Sequence, residues 1–364
     1  MSVKMKIGFD AKRAFHNNTG LGNYSRFVME GLLKYFPQNE YFAYSPKLSN
    51  KEIGIKETIP KKKFLWRSFF IKNHLQRDGI QIYHGLSNEL PFGKMPSGIK
   101  TVVTIHDLIF ERYPKLYPFF DTLIYKIKFR KACQKADAVV AVSEQTKQDI
   151  IDFYGINPAK IHVIYQDCNV AFQEKLTIEQ LENAKAKYQI KKKNILSVGT
   201  IIERKNQAIL VAAFHKLNLS NYELILVGGH SKYQDQIEKY IKENRVQNVK
   251  ILNKVPFQDL PAIYQGSELF VYPSFFEGFG IPIVEALHSG VPVVAATGSC
   301  LEEAGGEGAL YANPVDINDL ADKILQVLVN KELKNQLIVA GQKHIKQFSA
   351  EKVAGQLNEL YRKL

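Results

Sequence analysis

Glu277 and Glu285 stand eight residues apart around Gly278-Phe279-Gly280-Ile281-Pro282, a spacing that sets two carboxylates about a turn opening a helix. Gly278 and Gly280 let a ligand approach the backbone closely, and Pro282 suits a first helical turn. The N–H groups freed there suit an anion. The glycines alone describe a tight strand-to-helix turn, with Glu285 complementing the positive helix end for roughly 0.3–1 kcal/mol. Glu277 points further. A carboxylate beside an anion site repels the ligand unless it reads hydroxyl groups, and sugar hydroxyls are the obvious partners.

Arg204 and Lys205 follow Ser197-Val198-Gly199-Thr200, the end of a strand-like run, and precede Asn206 and a helical pattern. Two adjacent cations at a strand's carboxyl end suit a diphosphate: arginine offers a fork, lysine a compact charge. The bland alternative is a solvated charged loop. Gly20 and Gly22 lie between the first strand and first helix, where paired glycines form either a plain turn or a loop whose N–H groups cover phosphates. His106 ends another strand and could project into a ligand site, although a lone histidine is more often structural. His84 and Asn88 carry a weaker version of that argument. Glu302 and Glu303 follow a later strand. No Asp-x-Asp and no histidine cluster with metal-ligand spacing occurs in the sequence, so no metal is expected and the cations must act in its place.

These residues need a scaffold that gathers strand ends. Strand-like runs alternate with helical patterns along the whole chain, which predicts α/β architecture with parallel sheets. The first half reads as strands near Lys6 to Ala11, Ile80 to His84, Thr101 to Ile105, Ala138 to Val142 and Ile161 to Ile164. Helices are expected over Gly22 to Tyr35, Phe119 to Ala136 and Glu144 to Tyr154, the last capped by Ser143. The pattern restarts after a polar, lysine-rich segment from Gln173 to Lys193, with strands at Ile195 to Val198, Glu223 to Val227, Val249 to Leu252, Leu269 to Tyr272 and Val291 to Ala295. Two domains are expected, residues 1–170 and 171–348, with a last helix at 349–364 crossing back to the first. Such halves form a cleft, and ligands bind beyond the carboxyl ends of strands.

Over residues 1–165 there are 26 Lys+Arg against 14 Asp+Glu, whereas the remainder has 23 against 22. One basic half suggests an anionic partner: a membrane surface, a polyanionic acceptor or nucleic acid. The basic residues are scattered and lack the aromatic-basic motif of an RNA-binding sheet, which disfavours nucleic acid. Three distant cysteines without a C-x-x-C pair argue against disulfides or zinc and fit a reducing cytoplasm. The N-terminus shows no apolar signal core, and no apolar run approaches the roughly 18–20 residues that span a bilayer. The segment 61–72 mixes five cations with Trp66, Phe69 and Phe70. It is either an interfacial helix dipping those aromatics into lipid or a helix packing them into the core, and the basic imbalance favours the membrane.

Together, Gly20 and Gly22, His106-Asp107, Val198-Gly199-Thr200 with Arg204-Lys205-Asn206, and Glu277 through Glu285 resemble the group 1 retaining glycosyltransferases of GT-B fold, with bacterial mannosyltransferase-like members most similar. The resemblance covers nearly the whole chain and implies two Rossmann-like domains facing each other across a cleft. It implies that Glu277 contacts donor-sugar hydroxyls and Glu285 the nucleotide ribose, that Arg204 and Lys205 neutralise the donor diphosphate, and that Gly20 and Gly22 lie near it. His106 matches a histidine beside the transferred sugar. Gly199, Asn206, Gly278, Phe279 and Gly280 match donor-lining positions, and Glu303 a carboxylate position. The chain departs from the family pattern at Ile202-Glu203, where relatives often have Glu-Pro, and at Leu301-Glu302-Glu303-Ala304, where they often have Leu-Pro-Glu-Val.

The expectation is therefore a hexosyltransferase, mannose being the first guess, working from a nucleotide diphosphate-sugar with retention and without a cofactor. Its acceptor would be a hydroxyl of a lipid-linked or polysaccharide glycan at the inner face of the cytoplasmic membrane, with the enzyme cytoplasmic and peripheral. The competing readings are a basic nucleic-acid-binding protein, a phosphorylase or epimerase on the same fold, and a sugar-nucleotide sensor.

Overall fold

Short aliphatic runs buried on both faces make parallel strands, because their crossover helices cover the sheet on each side. The computed structural model describes residues 4–17, 19–48, 53–58 and 66–364. The chain divides into two units, Met1–Asp167 with Phe348–Leu364, and Cys168–Gln347.

In the first unit, seven strands among the described residues form one parallel sheet: β1 (Lys6–Asp10), β2 (Glu40–Tyr44), β3 (Lys56–Thr58), β4 (Ile82–Gly85), β5 (Lys100–Ile105), β6 (Ala138–Ala141) and β7 (Ile161–Val163), in spatial order β3-β2-β1-β4-β5-β6-β7. Val102, Val103 and Ile105 of β5 are wholly buried at its centre. Helix Glu144–Tyr154 begins where Ser143 accepts the Thr146 N–H, and ends at Gly155 in the left-handed region. The terminal helix Ala350–Lys363 packs on helix Gly20–Tyr35, where the bare Gly31 admits the Ala350 carbonyl and the Ala354 methyl. Buried hydrogen bonds fix it: Tyr361 Oη lies 2.6 Å from His84 Nδ1, and Asn39 Nδ2 donates to Asn358 Oδ1 at 3.1 Å. His84 is thus structural, its pKa pushed down to about 3 by burial.

The second unit holds a six-stranded parallel sheet among the described residues: β8 (Lys193–Val198), β9 (Tyr222–Val227), β10 (Val249–Leu252), β11 (Leu269–Tyr272), β12 (Val293–Ala296) and β13 (Ala309–Ala312), ordered β10-β9-β8-β11-β12-β13. Its strand order reverses between β8 and β11, as that of the first sheet does between β1 and β4. Beyond the carboxyl ends at such a reversal, two neighbouring loops lead away to opposite faces and leave a crevice for ligand.

One element was not anticipated and one expectation needs correction. The polar segment from Gln173 to Lys193 contains helix Ile178–Lys187, started by a capping box in which Thr177 Oγ1 accepts the Gln180 N–H at 3.2 Å and Gln180 Oε1 accepts the Thr177 N–H at 2.8 Å. Trp66 is no membrane anchor. It is 4% exposed and packs with Phe42, Tyr44, Ile71, Leu75 and Tyr83. Residues 66–70 form a π turn leading directly into helix Ile71–Arg77, and Trp66 faces the core from that turn while Phe69 and Phe70 do not. Phe69 and Phe70 are exposed, and Phe69 lies 5.7 Å from the Phe92 ring. The lysine-rich start of that segment, through Leu65, lies outside the described residues.

Candidate active site

Arg204, Lys205 and Glu277 meet because two loops at the β8/β11 reversal are stitched together. After β8 the chain turns at Gly199, whose φ of +144° disfavours any side chain and whose Cα faces the Lys205 stem. Residues Glu203–Lys205 form one 3-10 turn that ends at Asn206 in the left-handed region, φ 56°. The Asn206 amide donates to the carbonyls of Pro273 at 3.2 Å and Pro314 at 2.7 Å. Its NH2 is therefore spent on holding loops. From the other side, the Phe275 N–H donates to the Arg204 carbonyl at 2.9 Å.

The stitched loops put one carboxylate oxygen among four donors. Glu277 Oε1 lies 2.7 Å from Arg204 Nη1, 2.7 Å from Lys205 Nζ, 2.6 Å from Ser274 Oγ and 3.1 Å from Tyr272 Oη. Lys205 also donates to Tyr272 Oη and sits 4.8 Å from that ring's centroid, while Arg204 donates to the Phe276 carbonyl. The three charged side chains are only 12–14% exposed, so their attraction is weakly screened. Burial alone would raise the Glu277 pKa. Lys205 and Arg204 override it and, with hydrogen bonds from Lys205 and Ser274, hold it down at about 2. Lys205 is displaced downward by burial, against the pull of Glu277. Two cations against one carboxylate leave the cluster one positive charge in excess.

Glu277 Oε2 has no partner among the described residues. An ionised carboxylate oxygen can only accept, so what it offers a ligand is an acceptor for hydroxyl groups. Glu285 differs. It lies in helix Ile281–His288, its Oε2 accepts the Tyr264 hydroxyl at 2.8 Å, and burial pushes its pKa up to about 7 against that hydrogen bond and the Lys205 charge. Gly280 precedes this helix with φ +123°, and a Cβ there would crowd Ala304 and Leu301 at 3.1 Å. Gly278 and Phe279 complete the turn, with the Phe279 side chain buried. Glu303 is half-buried on helix Leu301–Gly305 beside that turn, and its carbonyl accepts from His344. Its neighbour Glu302 caps the loop instead, accepting from Thr297 and the Gly298 N–H.

The remaining candidates belong to the first unit. Gly20 and Gly22 do not form a loop ahead of the helix. They occupy the first turn of Gly20–Tyr35, where a Cβ on Gly22 would strike the Asn17 carbonyl oxygen at 1.9 Å, whereas Gly20 faces open space. Gly22 is therefore required for backbone packing. Its N–H is bonded to the Thr19 carbonyl and is not offered to a phosphate. His106 is buried, with its N–H held by Asn88 Oδ1 at 2.9 Å and its ring edge-on to Tyr24. Its Nε2 must carry the proton, since its partner at 2.9 Å is the Leu86 carbonyl. Burial lowers its pKa to about 4, so at neutral pH the ring is uncharged with Nδ1 as an acceptor.

Tyr272, Ser274 and Tyr264 were not anticipated. The usable signal is Tyr272 itself, a polar-tipped aromatic ending an otherwise wholly apolar strand. Cys133, Cys168 and Cys300 are buried and are not joined by disulfides.

The profile of the family described as Glycosyl transferases group 1 matches residues 179–344, and that of Glycosyltransferase Family 4 matches residues 51–166. Among curated proteins, the chain is 30% identical over 289 residues to O-antigen chain mannosyltransferase B of Escherichia coli, covering 78% of this chain and 74% of that one. It is 31% identical over 220 residues to O-antigen chain mannosyltransferase RfbU of Salmonella typhimurium, covering 59% and 57%. Among solved structures, a glycosyltransferase from Rickettsia africae superposes with a TM-score of 0.79 at 19% identity, covering 100% of this chain and 99% of its own. HepE of Anabaena, solved with UDP and glucose, gives 0.74 at 16% identity with both chains fully covered. At these identities the structural likeness establishes the two-domain GT-B fold.

Proposed function

The chain belongs to the group 1 glycosyltransferases, and from that premise we propose that it transfers a hexose from a nucleotide diphosphate-sugar to a glycan hydroxyl, retaining anomeric configuration and needing no metal. The observation that carries the reading is the division of labour in Glu277: Oε1 is pinned between two cations, and Oε2 remains as an acceptor beside them. Arg204 and Lys205 would take the diphosphate while Oε2 takes a sugar hydroxyl. The similarity to O-antigen chain mannosyltransferases supports mannose as the sugar and a polysaccharide acceptor. GDP-mannose would be the first donor to try and a UDP-hexose the second, with a lipid-linked or polysaccharide acceptor met at the inner membrane face.

In this mechanism the bond from the anomeric carbon to the phosphate oxygen breaks as the acceptor oxygen bonds to the same face of that carbon. The acceptor proton passes to an oxygen of the departing diphosphate. Charge grows on that diphosphate, so fixed cations favour the transition state over the ground state. Glu277 is a poor covalent nucleophile, since a pKa near 2 makes its carboxylate weakly basic and four donors hold Oε1 in place. Neutral His106 would accept a hydroxyl hydrogen bond from the sugar through Nδ1. Gly199, Gly278 and Gly280 would let the donor reach the backbone, and Glu303 would add a carboxylate beside the turn.

Thermal-shift screening against nucleotide sugars, followed by NMR of the product anomer, tests the reading, because a ligand that binds only the folded state stabilises it by RT ln(1 + [L]/Kd). One nucleotide sugar should stabilise the protein and yield a product with the donor's anomeric configuration. An inverted product, or no stabilisation by any of them, rejects it.

Glu285 carries a pH prediction. Burial raises its folded pKa to about 7, so the folded state binds its proton more tightly than the unfolded chain does. Its contribution to stability falls as pH rises from the ordinary carboxylate value to about 7, then levels off. If it holds the ribose as a carboxylate, donor KM should drop as pH rises through about 7, and Glu285→Gln should flatten that profile. A wild-type KM independent of pH across that range would remove Glu285 from ribose binding.

A further inference from the structure

Helix Phe119–Lys135 is apolar on two opposite faces. Inward, Phe129, Ala132 and Cys133 join the core with Val103, Ile105 and Val139. Outward, Phe119, Phe120, Leu123, Ile124 and Ile127 recur at three- and four-residue spacing, with Phe119 and Phe120 each 76% exposed. Single exposed apolar side chains are ordinary on a protein surface, but a stripe along one helix face marks an interaction site.

The charge along the same helix indicates the partner. Its second half turns basic, with Lys128, Arg130, Lys131 and Lys135. Lys128, Lys131 and Lys135 line a small cavity with Arg67 and Phe92, in which Glu89 is the one carboxylate. Glu89 is shared between Arg67 at 3.3 Å and Lys128 at 3.8 Å, and Arg67 also pairs with the buried Asp10, so the excess positive charge of the patch is that of its lysines. Nearby, burial and the Lys135 charge both displace Lys72 downward. A second copy of the chain docked on this face would bring cations to cations or to apolar side chains. An anionic bilayer complements both halves at once, taking the apolar stripe to the acyl boundary and the cations to lipid phosphates.

We infer that the outward face of helix Phe119–Lys135 is the surface by which this protein docks on an anionic phospholipid membrane. The inference places the membrane residence proposed above on one face, and rests on that reading only for which membrane is met.

Cosedimentation with phosphatidylcholine vesicles, with and without phosphatidylglycerol, tests it. The wild type should bind the anionic vesicles and release as salt rises. The triple variant Phe119→Ser, Phe120→Ser, Leu123→Ser should lose on the order of tenfold or more in vesicle affinity, and Lys131→Glu with Lys135→Glu should abolish the salt-sensitive part. Because the changed side chains are exposed, melting curves should stay in place. A Phe120→Trp variant should show emission quenched by lipids with brominated acyl chains, whereas the buried Trp66 of the wild type should not. Equal vesicle binding by the triple variant, or a triple variant that only converts a dimer to a monomer, overturns the proposal. Transfer to an acceptor in detergent solution should persist in every variant, so failure here leaves the transferase reading standing.

Discussion

Lys205→Ala should lose roughly 10²–10³ in kcat, about 2.7–4 kcal/mol of barrier, the usual consequence of removing one preorganised group aimed at developing charge. Lys205 is suited to that place by surroundings that keep a nearly buried ammonium fixed: the Glu277 carboxylate at 2.7 Å, the Tyr272 ring beneath it and the bare Cα of Gly199 beside its stem. Fixed charge costs no reorganisation during reaction, which is why its loss should appear in kcat. Steady-state kinetics at saturating donor checks this, alongside a melt to show that the variant is folded. Near-normal turnover would reject the role assigned to Lys205.

The second large effect belongs to Glu277→Gln, and its sign differs between binding and turnover. In the free protein the carboxylate neutralises part of the charge that a diphosphate would meet. Replacing it by an amide leaves Arg204 and Lys205 uncompensated, so affinity for the bare nucleoside diphosphate should hold or rise. Turnover should fall on the order of 10²-fold, since the acceptor for the sugar hydroxyl has lost its charge. Stability supplies a second readout. A folded pKa near 2 lies below the ordinary carboxylate value, so the ion cluster stabilises fully above that ordinary value and its contribution is lost as pH falls toward 2. The glutamine variant should lack that part of the acid transition. Calorimetric titration with nucleoside diphosphate and chemical unfolding across pH separate the two effects. Parallel loss of diphosphate affinity and turnover would contradict the division of labour drawn for Glu277.

What could be read from the sequence is what local rules control. Arg204, Lys205 and Glu277 were legible because each follows an aliphatic strand, and parallel sheets gather the strand ends where the order reverses. Their partners were not legible. Ser274 and Tyr272 reach Glu277, and Tyr264 reaches Glu285, through the register of one loop against another, which no residue pattern encodes. Gly22 was open to reading as a turn or as a phosphate loop, and the reason for its glycine is the Asn17 carbonyl pressed against it, a close approach visible only once the helix start is placed. Helix Ile178–Lys187 was hidden by its charge, although Thr177 and Gln180 spelled its cap. The mixed cations and aromatics of 61–72 could not reveal that Trp66 turns inward, because one amphipathic pattern serves a core and a membrane equally. Helix Phe119–Lys135 concealed its outward stripe for the converse reason: apolar residues on both faces cancel the asymmetry that marks a surface-active helix.

The account depends on Arg204 and Lys205 gripping a diphosphate. Isothermal titration of GDP and UDP against GMP and UMP, in the presence of a metal chelator, tests that claim most directly when repeated on the Arg204→Ala, Lys205→Ala double variant. The wild type should prefer a diphosphate over its monophosphate by tenfold or more, about 1.4 kcal/mol, and the double variant should lose that preference. A preference that survives in the double variant, or one that appears only when a divalent metal is restored, would contradict it.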